Sequence, residues 1–350
     1  MAPRSVKSFY LCKACQIFFV KRQRVLLVFF AVLLMVFFGL ELTVGSVSLS
    51  WRELWHAVDG TYGPGQVAYE ILWHYRLPKA LAALWAGAAL GLAGLLMQNL
   101  FRNPITGPYI LGISSGAGLA VAVWLLGAGA AAVFSSPVAL SVVAAAGGLA
   151  VLLFDLWLYR HTHQTVSLLV AGMMVGAFAG ALLSLLTFFA PARDLQKYVF
   201  WTLGHLGDMT RSQILLLAVT VAVVAGMAWR KRWLLDGHLL GEKYVASAGY
   251  SVDKLHRFMI IGAGVLTGVV TAFAGPIAFV GLMVPHAVYM TGRTRRHAFT
   301  IPAVLLVGGI IMLAADWIAQ WPGYEGVLPV NSITSLVGAP MVIWLLLRQK

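Results

Sequence analysis

Apolar runs of about twenty residues recur along the whole chain, and this spacing limits its fold more than any other feature. A helix rises about 1.5 Å per residue, so about 20 apolar residues cross a hydrocarbon layer, and fewer suffice where a helix is broken. Ten runs qualify: Val25 to Gly45, Pro78 to Gln98, Gly107 to Leu126, Val138 to Trp157, Val166 to Phe189, Ser212 to Trp229, Phe258 to Ala274, Ile277 to Gly292, Thr300 to Gln320 and Ser335 to Leu347. The seventh, eighth and tenth are short for a full crossing. Composition closes off a soluble alternative, since 60% of the residues are hydrophobic and 11% charged, against about one half apolar in soluble domains. The expected fold is therefore an all-α polytopic membrane protein with about ten transmembrane helices. Residues 1–24 are expected as a basic tail and residues 25–348 as one transmembrane domain. The first apolar run follows a long lead with no clean small-x-small cleavage site, so it reads as a retained span rather than a signal peptide.

The formal net charge of +13 does not point to nucleic acid, because the basic residues sit in short loops between apolar runs rather than on one soluble surface. They report topology instead. With the N-terminus in the cytoplasm, nineteen of the 25 lysines and arginines fall on the cytoplasmic side, which leaves Arg52, Arg76, Lys79, Arg193, Lys197 and Arg211 outside. An even number of spans places both termini in the cytoplasm. Two outer segments are long enough for structure of their own, Ser46 to Leu77 and Ala190 to Arg211. The first carries Trp51, Trp55, Trp73 and Tyr75, rings that favour the headgroup level.

Several chemistries find no support. Cys12 and Cys15 form a C-x-x-C without a second Cys/His pair nearby, which reads as two free thiols rather than a zinc site. A P-loop needs Gly-Lys, a pair absent from the chain, so any ATP-driven step needs an ATPase on another polypeptide. No paired aspartates, Ser/His pair or H-E-x-x-H equips the chain as a membrane-embedded enzyme, with Asp155 and Asp316 far apart near span ends. His161 and His163 read as part of an exposed basic turn before they read as metal ligands. An ion-coupled secondary transporter places ionisable groups in mid-span, whereas the centres here carry few. Gln98, Asn103, Ser114, Ser115, Asp316, Asn331 and Thr334, near span ends or breaks, instead fit a wide and weakly polar passage.

Between two apolar blocks lies a charged helical stretch, Leu239 to Arg257, on the cytoplasmic side. A membrane domain that receives force from a soluble partner needs such an element, short and held on both sides by spans it can move. Small residues at four-residue spacing, Gly87/Gly91, Gly172/Gly176/Gly180 and Gly264/Gly268, predict closely packed helix faces. A faint inverted repeat is also visible. Phe101-Arg102-Asn103-Pro104-Ile105 matches Phe273-Ala274-Gly275-Pro276-Ile277 at three of five positions, and the two sets of four spans around them start on opposite sides.

Arg76-Leu77-Pro78, Gly87 to Gly94, Gln98, Asn103-Pro104-Ile105 and Leu111 to Ala117 resemble the permeases of ABC importers for iron-siderophores, haem and cobalamin. The second half agrees through Gly241-Glu242, Gly249, Gly275-Pro276-Ile277, Phe279 to Leu282, Val284-Pro285-His286, Leu313 to Asp316, Leu328-Pro329-Val330 and Gly338-Ala339-Pro340. The resemblance implies a cobalamin-importer-like permease fold in the bacterial inner membrane and no enzymatic activity or cofactor in this chain. It implies a ferric siderophore or haem as cargo, with cobalamin as the alternative. The implied partners are a second permease copy, two ATP-binding subunits holding ATP and Mg, and a periplasmic binding protein. Coupling helices are implied at residues 239–257, with Glu242, Val245, Ala248, Gly249 and Leu255 as the ATPase contact. A cytoplasmic gate is expected at Thr165 and Ser167, in the turn His161 to Ser167. Docking of the binding protein is expected at Arg52 and Arg193 first, then Arg76, Lys197 and Arg211, while Arg76 and Lys79 are also candidates to snorkel to headgroups. The chain departs from the family pattern at Val245, Ala248, Lys79, Ala278 and Asn331.

Overall fold

In lipid a backbone amide finds no water, so a spanning segment has to satisfy its own hydrogen bonds as a helix. A computed structural model describes residues 4–43, 45, 49–127, 136–320 and 328–348, and among them the regular structure is entirely helical. The helices are α1 (Arg4–Thr43), α2 (Trp51–Val58), α3 (Val67–Glu70), α4 (Leu77–Leu100), α5 (Ile113–Ala122), α6 (Pro137–Thr162), α7 (Thr165–Phe189), α8 (Ala192–Thr202) and α9 (Arg211–Arg230). They continue with α10 (Arg232–Leu240), α11 (Glu242–Ser247), α12 (Val252–Ala274), α13 (Val280–Gly292), α14 (His297–Ala319) and α15 (Val330–Arg348).

Seven helical stretches are long and apolar enough to cross a membrane: Lys21–Thr43, Val67–Leu100, Pro137–Thr162, Thr165–Phe189, Arg211–Arg230, Val252–Ala274 and His297–Ala319. The shorter Ile113–Gly127 and Val330–Trp344, together with α13, fill the remaining three places of the ten expected spans. From Arg4 onward the expected tail is continuous with the first span as one helix. The thiols of Cys12 and Cys15, like Ser46 in the first outer segment, lie outside the described residues.

The architecture is centred on α4. Of its apolar window 83% is buried, against 11% for α1, because α14, α12, α13 and α9 surround it. The glycines make this possible. A Cβ at Gly87 or Gly308 would collide with the other helix's backbone, and one at Gly94 would overlap the Gly281 carbonyl, so α14 and α13 each touch α4 backbone to backbone. A second group, α5 with α6 and α7, joins the first through α12, which packs on both α4 and α6.

Arg102, just past the end of α4, pairs with Glu242, just ahead of α12, so these two long helices start on opposite faces. Each is followed by a broken stretch and a short helix, α5 or α13, in the layout of an inverted repeat. The face that carries Arg102 and Glu242 is the basic face. On the opposite face, the break after α12 is held by Asn331, whose Oδ1 accepts from Ala278 N at 2.9 Å. The Ala274 carbonyl accepts from His205 N at 2.8 Å. Asn331, a departure from the family pattern, is thus a positioning residue for the break.

Two expectations about charge are corrected. Arg76 is buried, 7% exposed, and donates to the Leu42 carbonyl at 2.6 Å, so it neither docks a partner nor reaches the headgroups. Lys79 is drawn inward as well, its Nζ 3.0 Å from Oδ2 of the fully buried Asp316. Glu41 and Gln320 complete this cluster, with Gln320 Nε2 donating to Glu41 Oε1. The span interiors are therefore less free of charge than expected, and Asp155 is also fully buried. A carboxylate inside the apolar layer holds a lysine more strongly than the interface does.

Candidate functional site

The stretch after α9 folds back on itself rather than forming one long helix, because two glycines adopt backbone conformations that side chains disfavour. Gly241, at φ 128°, separates α10 from α11, and Gly249, at φ 81°, turns the chain toward α12. The Ser251 hydroxyl accepts from Lys254 N and caps α12. The result is a small helical hairpin on the basic face.

The five residues expected to contact an ATPase separate into two groups. Val245 and Leu255 are 1% and 2% exposed, packed into this chain's own core, so they anchor the hairpin and present nothing to a partner. The sequence correctly indicates an apolar face on this segment, but the permease itself covers that face. Ala248 and Gly249 are exposed, together with Lys243, Tyr244 and Tyr250. Glu242 is half-exposed and its carboxylate accepts from Arg102 Nη2 at 3.1 Å, which ties the hairpin to the end of α4.

Beneath the hairpin runs a buried chain of hydrogen bonds that the sequence did not suggest. Asp236 Oδ1 accepts from His297 Nδ1 at 2.7 Å, and His297 Nε2 in turn meets Asn99 Nδ2 at 2.9 Å. Asn99 Oδ1 lies 2.8 Å from His238 Nδ1, and His238 Nε2 lies 2.8 Å from His256 Nε2. His256 Nδ1 contacts the Tyr159 hydroxyl at 2.8 Å, which donates to Asp253 Oδ1 at 3.0 Å. His163 Nδ1 reaches the same oxygen at 3.4 Å. Burial first, and the neighbouring His256 second, push His238 down to about 4, so its ring is uncharged at neutral pH. The chain joins α14, α4, α10, α12 and α6. Its members come from five helices and the turn before α7, and only the pairs Asp236/His238 on α10, Asp253/His256 on α12 and Tyr159/His163 at the end of α6 are close in sequence.

The expected gate lies at the far end of these bonds. Thr165 begins α7 and Ser167 follows within its first turn, both half-buried. His163, in the turn just before them, is the residue that reaches Asp253. His161 and His163 are both exposed, as a basic turn requires.

On the opposite face Arg52 (α2) and Arg193 (α8) are exposed. Arg211 is exposed and donates to the Trp73 carbonyl at 3.3 Å, whereas Lys197 is half-buried and paired with Asp194 at 3.0 Å. With Arg76 buried, Arg52 and Arg193 are the best-presented cations of the expected docking set. Between α5, α7 and α8 lies a cavity of about 230 Å³ lined by Ser114, Ser115, Tyr198, Trp201 and Thr202. Of the seven polar side chains expected along a passage, Ser114 and Ser115 line this cavity, whereas Asp316 is paired with Lys79 and Asn331 holds the break after α12.

Known proteins are similar to this chain in sequence and fold. Residues 33–348 match the FecCD transport family. The vitamin B12 import system permease protein BtuC of Serratia proteamaculans (strain 568) is 32% identical over 316 residues, covering 89% of this chain and 90% of that protein. BtuC of Salmonella choleraesuis (strain SC-B67) is 35% identical over 278 residues, covering 79% and 83%. Among solved structures, a chain of a metal-chelate type ABC transporter in an inward-facing conformation superposes with a TM-score of 0.79 at 26% identity, covering 93% of this chain and 99% of the other. PsaBC from Streptococcus pneumoniae shares the fold at a TM-score of 0.53 and 15% identity, covering 83% and 94%. With nearly the whole chain matched, it belongs to the FecCD transport family as a permease subunit of an ABC importer.

Proposed function

We propose that two copies of this chain enclose a passage for a metal chelate, that two ATP-binding subunits drive it from the basic face, and that a periplasmic binding protein delivers cargo to the opposite face. The basic face is then cytoplasmic, as nineteen of the 25 lysines and arginines lie on that side of the expected topology, and both termini lie there too. ATP and Mg reside on the partner subunits. A corrinoid is the first cargo to test because the curated relatives named above are vitamin B12 permeases, with ferric siderophores and haem as the other members of the class.

The observation that carries this reading is the α10–α11 hairpin. It is anchored inward by Val245 and Leu255, exposed along Tyr244, Ala248 and Gly249, and joined to α4 through Glu242 and Arg102. Force applied to its exposed side reaches the most buried helix of the chain and, through the hydrogen-bonded chain to His163, the turn before Thr165 and Ser167. Uptake into vesicles holding the complete complex tests the reading. It predicts accumulation that requires ATP and survives a protonophore; uptake driven by an ion gradient without ATP contradicts it and favours a secondary transporter.

A further inference from the structure

His238 Nε2 and His256 Nε2 face each other at 2.8 Å in the buried junction of α10 and α12, and the groups around them fix where the ring protons sit. Asn99 Nδ2 lies 3.0 Å from the Leu235 carbonyl, which can only accept, so Asn99 Oδ1 is the acceptor end of the amide. His238 Nδ1, 2.8 Å from that oxygen, therefore carries a proton. On the other ring, the Asp253 carboxylate takes the single Tyr159 hydroxyl proton at 3.0 Å, so the Tyr159 oxygen accepts from His256 Nδ1 at 2.8 Å. With both Nδ1 positions protonated, two neutral rings turn their Nε2 lone pairs toward each other. That contact is repulsive until a positive charge lies between them.

One carboxylate oxygen of Glu242 and one ring nitrogen each of His238 and His256 lie within 4.8 Å of one another. Arg102 takes Oε1 of that carboxylate and leaves Oε2 for another partner. Two neutral imidazole nitrogens and a carboxylate converging on one point suit a divalent ion of the zinc type. Each ring's other N–H is already held by an oxygen, as metal-bound histidines require of the groups behind them. We propose that His238, Glu242 and His256 bind a first-row divalent transition-metal ion of the zinc class, which clasps α10, α11 and α12 together. Bonds of about 2.0–2.1 Å in a tetrahedral site set the two nitrogens about 3.4 Å apart, so the rings part by about 0.6 Å on binding. A shared proton is the competing occupant, and a Co²⁺ titration distinguishes it from a metal ion. The site stands whether or not the hairpin docks an ATPase. If it does, the metal stiffens the segment through which force passes.

The test is a Co²⁺ titration of the permease in its assembled complex, purified without a histidine tag and treated with chelator. The expected result is stoichiometric binding with the visible absorption of tetrahedral cobalt, displaced by Zn²⁺. That absorption is lost in Glu242→Gln, a half-exposed position whose change leaves elution and melting intact, and in His256→Asn. Tyr159→Phe, which removes the acceptor behind His256, weakens binding about 10–100-fold. Wild-type protein without that absorption, or absorption that persists undiminished in both Glu242→Gln and His256→Asn, overturns the proposal and leaves a shared proton between the rings.

Discussion

Replacing Lys79 by methionine removes the cation from the most enclosed ion pair in the described structure. Lys79 Nζ lies 3.0 Å from Asp316 Oδ2, with the side chains 13% and 0% exposed. Asp316 Oδ1 has no partner among the described residues, and Glu41, 2% exposed, lies beside the pair with Oε2 also unpartnered. At an effective dielectric of about 20, charges at this separation attract by about 5 kcal/mol, much of it offset by the cost of taking both out of water. Removing one partner forfeits the attraction and leaves the cost. The expected loss is about 3–5 kcal/mol, and the apparent melting midpoint falls by about 5–10 °C in a detergent thermal-shift assay read by size-exclusion chromatography. The double variant Lys79→Met/Asp316→Leu removes both charges and recovers more than half of that loss. An unchanged midpoint in Lys79→Met, or a double variant as unstable as the sum of the two single ones, refutes the reasoning.

Val245→Asp buries a carboxylate in the core and lowers folded yield by several kcal/mol of stability, whereas Ala248→Asp, on the exposed side, keeps wild-type melting; equal melting of the two variants contradicts the division of the hairpin into anchor and surface. Gly94→Val forces a side chain into the Gly281 backbone and costs about 1–3 kcal/mol or more, while Gly180→Val, with open space around it, changes stability by less than about 0.5 kcal/mol, both read by thermal shift. Reversing Arg52 and Arg193 to glutamate slows association of the binding protein about tenfold at low ionic strength, with the effect fading as salt rises, and leaves basal ATP hydrolysis intact; surface-immobilised kinetics measure both limits.

The number and order of the spans were legible because hydrophobic length is a local property, and the same holds for the charged break at Leu239 to Arg257. What lay between the helices was not. Val245 and Leu255 read as one apolar face with Ala248, but which face is covered depends on helices that arrive from elsewhere in the chain. Arg76 and Lys79 stand next to a predicted span end, where snorkelling is the default, and only the fold brings the Leu42 carbonyl and Asp316 close enough to draw them in. The glycine stripes show the same limit. Gly172 is pressed against the Ile110 backbone while Gly180, two turns on, meets nothing, though their sequence spacing is uniform. The histidine chain joins residues separated by up to 198 positions, such as Asn99 and His297, so no motif announces it.

Measuring ATP hydrolysis and cargo uptake together in Ala248→Trp tests most directly the claim that the hairpin carries force from an ATPase into the permease. Position 248 is exposed and its backbone, at φ −79°, accepts any side chain, whereas Gly249 at φ 81° would add strain to the same experiment. In reconstituted complex the account predicts intact assembly of the membrane domain, continued hydrolysis, and uptake reduced about tenfold or more. Wild-type uptake per ATP hydrolysed in this variant would contradict it.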